Sequence, residues 1–188
     1  MRRFASALLL LMAATLPVGA AESVYSKLDL DRCDILDQYE EGGGFDARCR
    51  GIDGYPVYVS EGDARMSVSF GEPGKTFGTF GPFNSLGKTV EWRMFNGEPH
   101  AAIIRYHLET GSEPNEKGDA LVVYKVARSG DAGCPMAAID VSTTEQPNGV
   151  ARGVAAFAPR FDCERSAIII SGPEGLGRSF NPAVPEGR

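Results

Sequence analysis

Histidine and tryptophan are scarce in this chain, and several chemical signatures are missing from it. It has two histidines and one tryptophan in 188 residues. His100 and His107 share one strand-like run, "HAAIIRYHLE", and their odd separation sends them to opposite faces of a strand. They cannot then share a metal ion or a proton, and strand-end or surface positions are the expectation. No Cys-x-x-Cys pair occurs and neither histidine neighbours a cysteine, so the spacing offers zinc no ligand set and no metal is expected. No Gly-x-Ser-x-Gly turn presents a serine nucleophile. Basic residues do not cluster, and the formal net charge is −6. An acidic chain of this kind repels nucleic acid and anionic lipid, which excludes both as partners. No apolar run reaches the roughly 20 residues that a membrane-spanning helix needs.

A nucleotide site is suggested and then removed. Gly-Lys-Thr occurs at residues 74–76 and again at 87–89. A phosphate loop also needs a glycine five positions before the last one, so that successive amides wrap the phosphates. Those positions hold Ser69 and Pro82, and proline has no amide hydrogen. Thr89 leads into alternating "TVEWRMF" rather than into a helix, so the amides of a helix N-terminus are missing too. No nucleotide and no cofactor is expected. The acidic run "DLDRCDILD" fails as a calcium loop in the same way. Its fifth and sixth positions are Cys33 and Asp34, where Asp or Asn and then Gly are required.

What is present begins with the N-terminus. Arg2 and Arg3 precede the apolar "FASALLLLMAATL", and small residues close the segment at "VGAA". That is the form of a secretory signal peptide over residues 1–21, cleaved after Ala20 or Ala21. The expected location is therefore the periplasm or the exterior, with a single β-rich domain over 22–172. Four cysteines remain: Cys33, Cys49, Cys134 and Cys163. An even number in an oxidising compartment reads as two disulfides. Three pairings exist; the closest spacing favours Cys33–Cys49 and Cys134–Cys163. Loops of that size each contribute on the order of 3 kcal/mol by restricting the unfolded chain.

Period-two alternation marks the strands. In "YPVYVSEGDARMSVSFG", Val57 and Val59 alternate with polar neighbours before a Gly-Asp turn, and Met66, Val68 and Phe70 alternate after it. "TVEWRMF", "HAAIIRYHLE", "DALVVYKVAR", "CPMAAIDVS" and "SAIII" read as further strands, rich in β-branched residues. Val150, Val154, Phe157 and Phe161 recur at helical steps, with Thr143 or Thr144 as cap. Residues 173–188 lack an apolar period and read as a disordered tail. The expected class is α+β: mainly antiparallel sheet, one C-terminal helix packed on it, and two disulfides.

Two constellations point to binding. Phe77, Phe80 and Phe83 recur through the glycine-rich "FGTFGPF". Such a loop either covers an open end of the sheet or offers an apolar contact to a partner. Arg93, Arg105 and Lys125 fall on three strands, with Glu91 among them, and can converge on one sheet face as an anion site.

The segments "LDLDRCDIL", "GYPVYVSEGD", "FGPFNSLGKTVEWR" and the late "FDC" resemble a group of small exported proteins of alphaproteobacteria. That resemblance covers most of the chain after the signal and carries no catalytic residue onto it. In general build the chain is also similar to periplasmic lysozyme inhibitors, an analogy of architecture. The expectation is a non-enzymatic binding or inhibitor module for an envelope protein or small ligand, with Phe77, Phe80, Phe83 and Arg93 at its contact site. The alternative is an envelope hydrolase whose site is assembled from distant residues. Asp/Glu pairs with Arg93, Tyr106 or His107 are its candidates.

Overall fold

The computed structural model describes residues 22–40, 42–73, 78–111, 117–129, 133–172 and 175–182. The first half forms β1 (Glu22–Lys27), β2 (Asp34–Gln38), β3 (Phe45–Ile52), β4 (Tyr55–Gly62), β5 (Arg65–Phe70) and the short β6 (Thr79–Phe80). The second half forms β7 (Asn84–Phe95), β8 (Glu98–Glu109), β9 (Lys117–Lys125), β10 (Cys134–Asp140), the helix α1 (Pro147–Ala155), β11 (Ile169–Ser171) and β12 (Phe180–Asn181). A six-stranded sheet has the order β1-β7-β8-β9-β10-β11, antiparallel except for the β10–β11 pair. A four-stranded antiparallel sheet, β2-β3-β4-β5, covers one of its faces, and α1 covers the other.

The alternating residues decide which face is which. Val57 and Val59 of β4 and Val68 and Phe70 of β5 point inward, against Val90 and Trp92 of β7 and Ile104 and Tyr106 of β8. Trp92 is fully buried, and Phe70 meets it edge-on at 5.4 Å. The indole keeps a partner by donating to Ser26 Oγ at 2.8 Å. The buried hydroxyls of Tyr106 and Tyr124 satisfy each other at 2.9 Å, and burial pushes both phenols up. Gly71, at φ +86°, lets β5 end against the next layer, since a Cβ there would lie 2.2 Å from the Ala127 carbonyl oxygen.

The other face is built from small residues. Ala101, Ile103, Val123, Ala137 and Ile139 of the sheet pack against Ala151, Val154 and Ala155 of α1. This corrects the expected helical face. Val154 turns inward, but Val150 is 37% exposed and Phe157 64% exposed, while Phe161 only flanks the cluster. Alanine facing alanine lets the backbones approach too closely for a phenylalanine stripe. The helix also starts later than its sequence period suggests. Gln146 precedes it in the left-handed region at φ 50°, and Pro147 opens it. Neither threonine caps it: Thr143 N–H donates to Asp140, and the Thr144 hydroxyl meets Ser171.

Two further expectations change. The helix is not the last element, because β11 and β12 follow it. Part of the expected disordered tail is ordered: a 3-10 turn spans Leu176–Ser179, and β12 pairs with β6. Asp140 and Phe180 help to hold it. Asp140, 1% exposed, accepts from the Leu176 N–H at 2.7 Å as well as from Ser142 and Thr143. Those bonds outweigh burial and keep the Asp140 carboxyl below its usual range. Phe180 then packs on Phe80 at 5.0 Å.

The disulfides join Cys33 to Cys49 and Cys134 to Cys163, and no cysteine is free. Among the described residues no helix is long and apolar enough to cross a membrane.

Candidate functional site

One row of the six-stranded sheet carries the chemistry. Ser23 pairs with Arg93, Arg93 with Ala101, Ala101 with Lys125, and Lys125 with Cys134. Cross-strand partners share a face, and Ala101 packs under α1, so this row lies on the helix side. Arg93 and Lys125 therefore flank one alanine near the C-terminus of the helix. Between Arg93 and Met94 the register slips, giving β8 one additional residue, His100. The bulge reverses the parity that puts the two histidines on opposite faces. His100 meets the Ala155 backbone of α1, and His107 lies in register with the same face.

His100 lines a cavity of about 310 Å3 with Phe95, Lys125, Arg128, Ala158 and Pro159. His100 is 8% exposed, and its ring Nδ1 has no hydrogen-bond partner. Burial is the main cause that holds its pKa below the ordinary histidine value, followed by the charges of Arg93 and Arg128, while the Ala155 backbone acts the other way. Lys125 donates to the Phe161 carbonyl at 2.9 Å. The Cys134–Cys163 bond closes the loop that carries Phe161 back onto the start of β10. Arg128 donates to Glu98 at 2.6 Å and to the Pro99 carbonyl at 2.7 Å, which fixes its guanidinium at the rim. Phe95 stands edge-on to His100 at 6.4 Å and supplies an apolar wall. The arrangement is a small, half-apolar cleft with cationic donors and one buried imidazole nitrogen to be satisfied.

No protein-family model, curated protein or solved structure matches the chain.

Arg93 donates to Ser23 Oγ and lies 3.6 Å from Glu91. Glu91 also accepts from Ser23 at 2.6 Å and from Arg152 of α1 at 2.7 and 3.1 Å. Burial alone would raise the Glu91 pKa; the bonds from Arg152 and Ser23 and the nearby guanidinium charges outweigh it and hold it low. This network clamps the helix to β7 and β1, next to the cleft. Arg105 shares the face but not the cleft, since it pairs with Asp119 at 2.9 Å.

The phenylalanine loop is divided. Phe77 lies outside the described residues. Phe80 is fully buried between Tyr106 and Phe180, so it closes the core rather than meeting a partner. Phe83 is 46% exposed under the Arg65 guanidinium, 4.9 Å from the ring centre, so of the two described it is the one open to an outward contact. Tyr106, named for the hydrolase alternative, is buried in the core.

A second row on the helix side places Ser85, His107 and Asp119 on consecutive strands. His107 Nδ1 lies 2.8 Å from Asp119 Oδ1, and Arg105 holds the other carboxylate oxygen. Among the described residues no hydrogen bond joins Ser85 to His107. A more open depression of about 450 Å3 over the Cys33–Cys49 bond includes Arg32, Arg48 and Arg50, with Asp34 pairing Arg48. It is a solvated charged face. Among the described residues no group of His, Cys, Asp and Glu is arranged to hold a metal ion.

Of the residues that line the cleft, Lys125 is named from the sequence as a charge on the sheet face, His100 is expected at a strand end or surface, and Arg128 is not singled out; Arg93, the expected contact residue, lies beside the cleft. The alternation of "HAAIIRYHLE" is ordinary, and only the slip in pairing turns His100 towards the cleft. The signal that could have flagged it is the tight "NGEPH" turn, where bulges are common.

Proposed function

We propose that this chain is a non-enzymatic binding module of the periplasm or cell exterior, with the cleft between β8, the end of β9 and the helix C-terminus as its ligand site. The observation that carries the reading is His100: a buried imidazole nitrogen without a partner, in a cavity that Lys125 and Arg128 also line. A buried polar atom left unsatisfied costs about 1–3 kcal/mol, and a bound molecule that satisfies it regains that energy. The volume suits a small molecule rather than a protein segment. The arginine-rich start of the chain, its small-residue "VGAA" and the two disulfides support export, as does the resemblance to small exported proteins. The test is an amide chemical-shift screen of the exported, oxidised protein. The panel comprises glycerol, glucose, choline, propionate, lactate and inorganic phosphate. At least one compound should move the signals of residues 95–100, 125–128 and 155–158 together. A panel that leaves all of them still, while another surface responds, sinks the reading.

The Ser85–His107–Asp119 row favours a second reading, an envelope hydrolase. Serine, imidazole and carboxylate in sequence across three strands is the order that nucleophile activation requires. A fluorophosphonate probe would label Ser85 and fail to label a His107→Ala variant. Equal labelling of both, or none, removes the hydrolase.

A further inference from the structure

We propose that the His100 cleft takes a small organic carboxylate, which binds together with a proton on His100 Nδ1. This rests on the cleft being the ligand site and adds the ligand class and its coupling. The two ring nitrogens have different surroundings. Nδ1 is the one without a partner, so the Ala155 backbone contact belongs to Nε2. Ala155 ends the helix, where carbonyl oxygens favour a positive charge. In the neutral ring Nε2–H faces that carbonyl, and Nδ1 presents a lone pair. In the protonated ring both nitrogens are donors, Nε2 to Ala155 and Nδ1 on the ring that lines the cleft. An anionic oxygen is the acceptor that Nδ1–H then requires.

The surroundings select the charge of the ligand. The charge of Arg93 reaches the ring from β7, where Glu91 pairs with it; Lys125 at the end of β9, Arg128 just beyond it and Glu98 of the ring's own strand line the cleft. The helix contributes the Ala155 carbonyl, and the turn after it contributes Ala158 and Pro159. Glu98 is 60% exposed and already engages Arg128 at the rim. Two donors of the guanidinium are used, by Glu98 and Pro99, and a guanidinium carries five. The balance inside the cleft is cationic, and it works against protonation of the ring while no anion is bound. An incoming carboxylate reverses that field. Phe95, Val126, Ala158 and Pro159 offer the apolar wall for a short carbon chain, which inorganic phosphate lacks.

Linkage then sets the sign. A ligand that prefers the protonated ring raises the titration midpoint of His100, and by reciprocity binds more tightly as pH falls through that midpoint. The proton comes from solvent and returns to it on release; no bond to carbon is made or broken.

The experiment follows the His100 ring by NMR through a pH titration with and without saturating sodium propionate, and measures propionate affinity by calorimetry at pH 5.5 and 7.5. The expected result is a raised midpoint and binding about tenfold tighter at the lower pH, equivalent to about 1.4 kcal/mol. His100→Gln should keep a weak, pH-independent affinity, and Arg128→Gln should weaken binding at both pH values. A His100 midpoint that does not move while propionate shifts the cleft amides overturns the coupling and leaves the cleft as a ligand site. Glycerol, glucose or choline binding there in place of propionate overturns the carboxylate class alone. Phosphate binding more tightly than propionate does the same. If no compound of the panel reaches the cleft, both the inference and the reading beneath it fall.

Discussion

The two faces of the six-stranded sheet are made by alternate residues of the same strands, yet they are built from different materials. Towards the smaller sheet lie Trp92, Tyr106, Tyr124 and Ile104, large side chains in continuous contact with Phe70 and Phe80. Towards the helix lie Ala101, Ile103, Val123 and Ala137, and at their margin Arg93, Lys125 and His100. Large apolar groups remove the most surface from water, so the first face supplies most of the cohesion. Small groups bring the helix backbone close, so the second face can hold a carbonyl against an imidazole. The large apolar core and the polar margin beside the helix are separated by a single step along each strand.

That division can be broken deliberately. Trp92→Ala or Phe80→Ser should cost about 3–5 kcal/mol in urea unfolding, because each empties a fully buried site. If either costs under about 1 kcal/mol, the cohesive face has been misplaced. Ala155→Leu overpacks the helix side and should cost about 1–3 kcal/mol while displacing the His100 ring signals. Trp92→Phe, by contrast, should leave those signals in place. Glu91→Gln, at the clamp between helix and strand, should cost about 1–2 kcal/mol at pH 7. The fold lowers the Glu91 pKa, so this contribution is present above the ordinary glutamate value near pH 4.3 and lost as pH falls through the lower folded value. Acid unfolding curves of wild type and variant should therefore converge on the acid side. Phe83→Ser should change stability least, by about 0.5–1 kcal/mol, since it loses a half-exposed ring and its Arg65 contact. Equal costs for Phe80→Ser and Phe83→Ser would erase the distinction drawn between them.

The sequence was legible wherever alternation met burial on one side only. The β4–β5 hairpin and the strand of Trp92 follow their periods, because each has one face in the core. β1 and β2 were not legible. They lie at sheet edges, β2 is exposed along its whole length, and exposed edge residues need no apolar pattern. The helical face was misread because phenylalanine outweighs alanine in any apolar period, whereas the close approach to Ala101 and Ala137 rewards the smaller residue. Of the cleft, Lys125 was visible as a charge on one sheet face, with Arg93 beside it, and His100 was hidden by the bulge. The C-terminal turn was hidden for a different reason. Its order comes from Asp140, far upstream, which accepts a backbone N–H that has no side-chain signature.

The contact between Phe80 and Phe180 has a consequence for timing. A chain synthesised from its N-terminus presents Phe80 about a hundred residues before Phe180. Until then the end of the core beside Tyr106 has no cover, however complete the two sheets have become. Closing that long loop is an entropic cost that can be met only once Phe180 is present. A nascent or truncated chain ending before residue 180 would carry an open, aromatic-lined end, a handle by which chaperones and proteases can tell unfinished copies from finished ones.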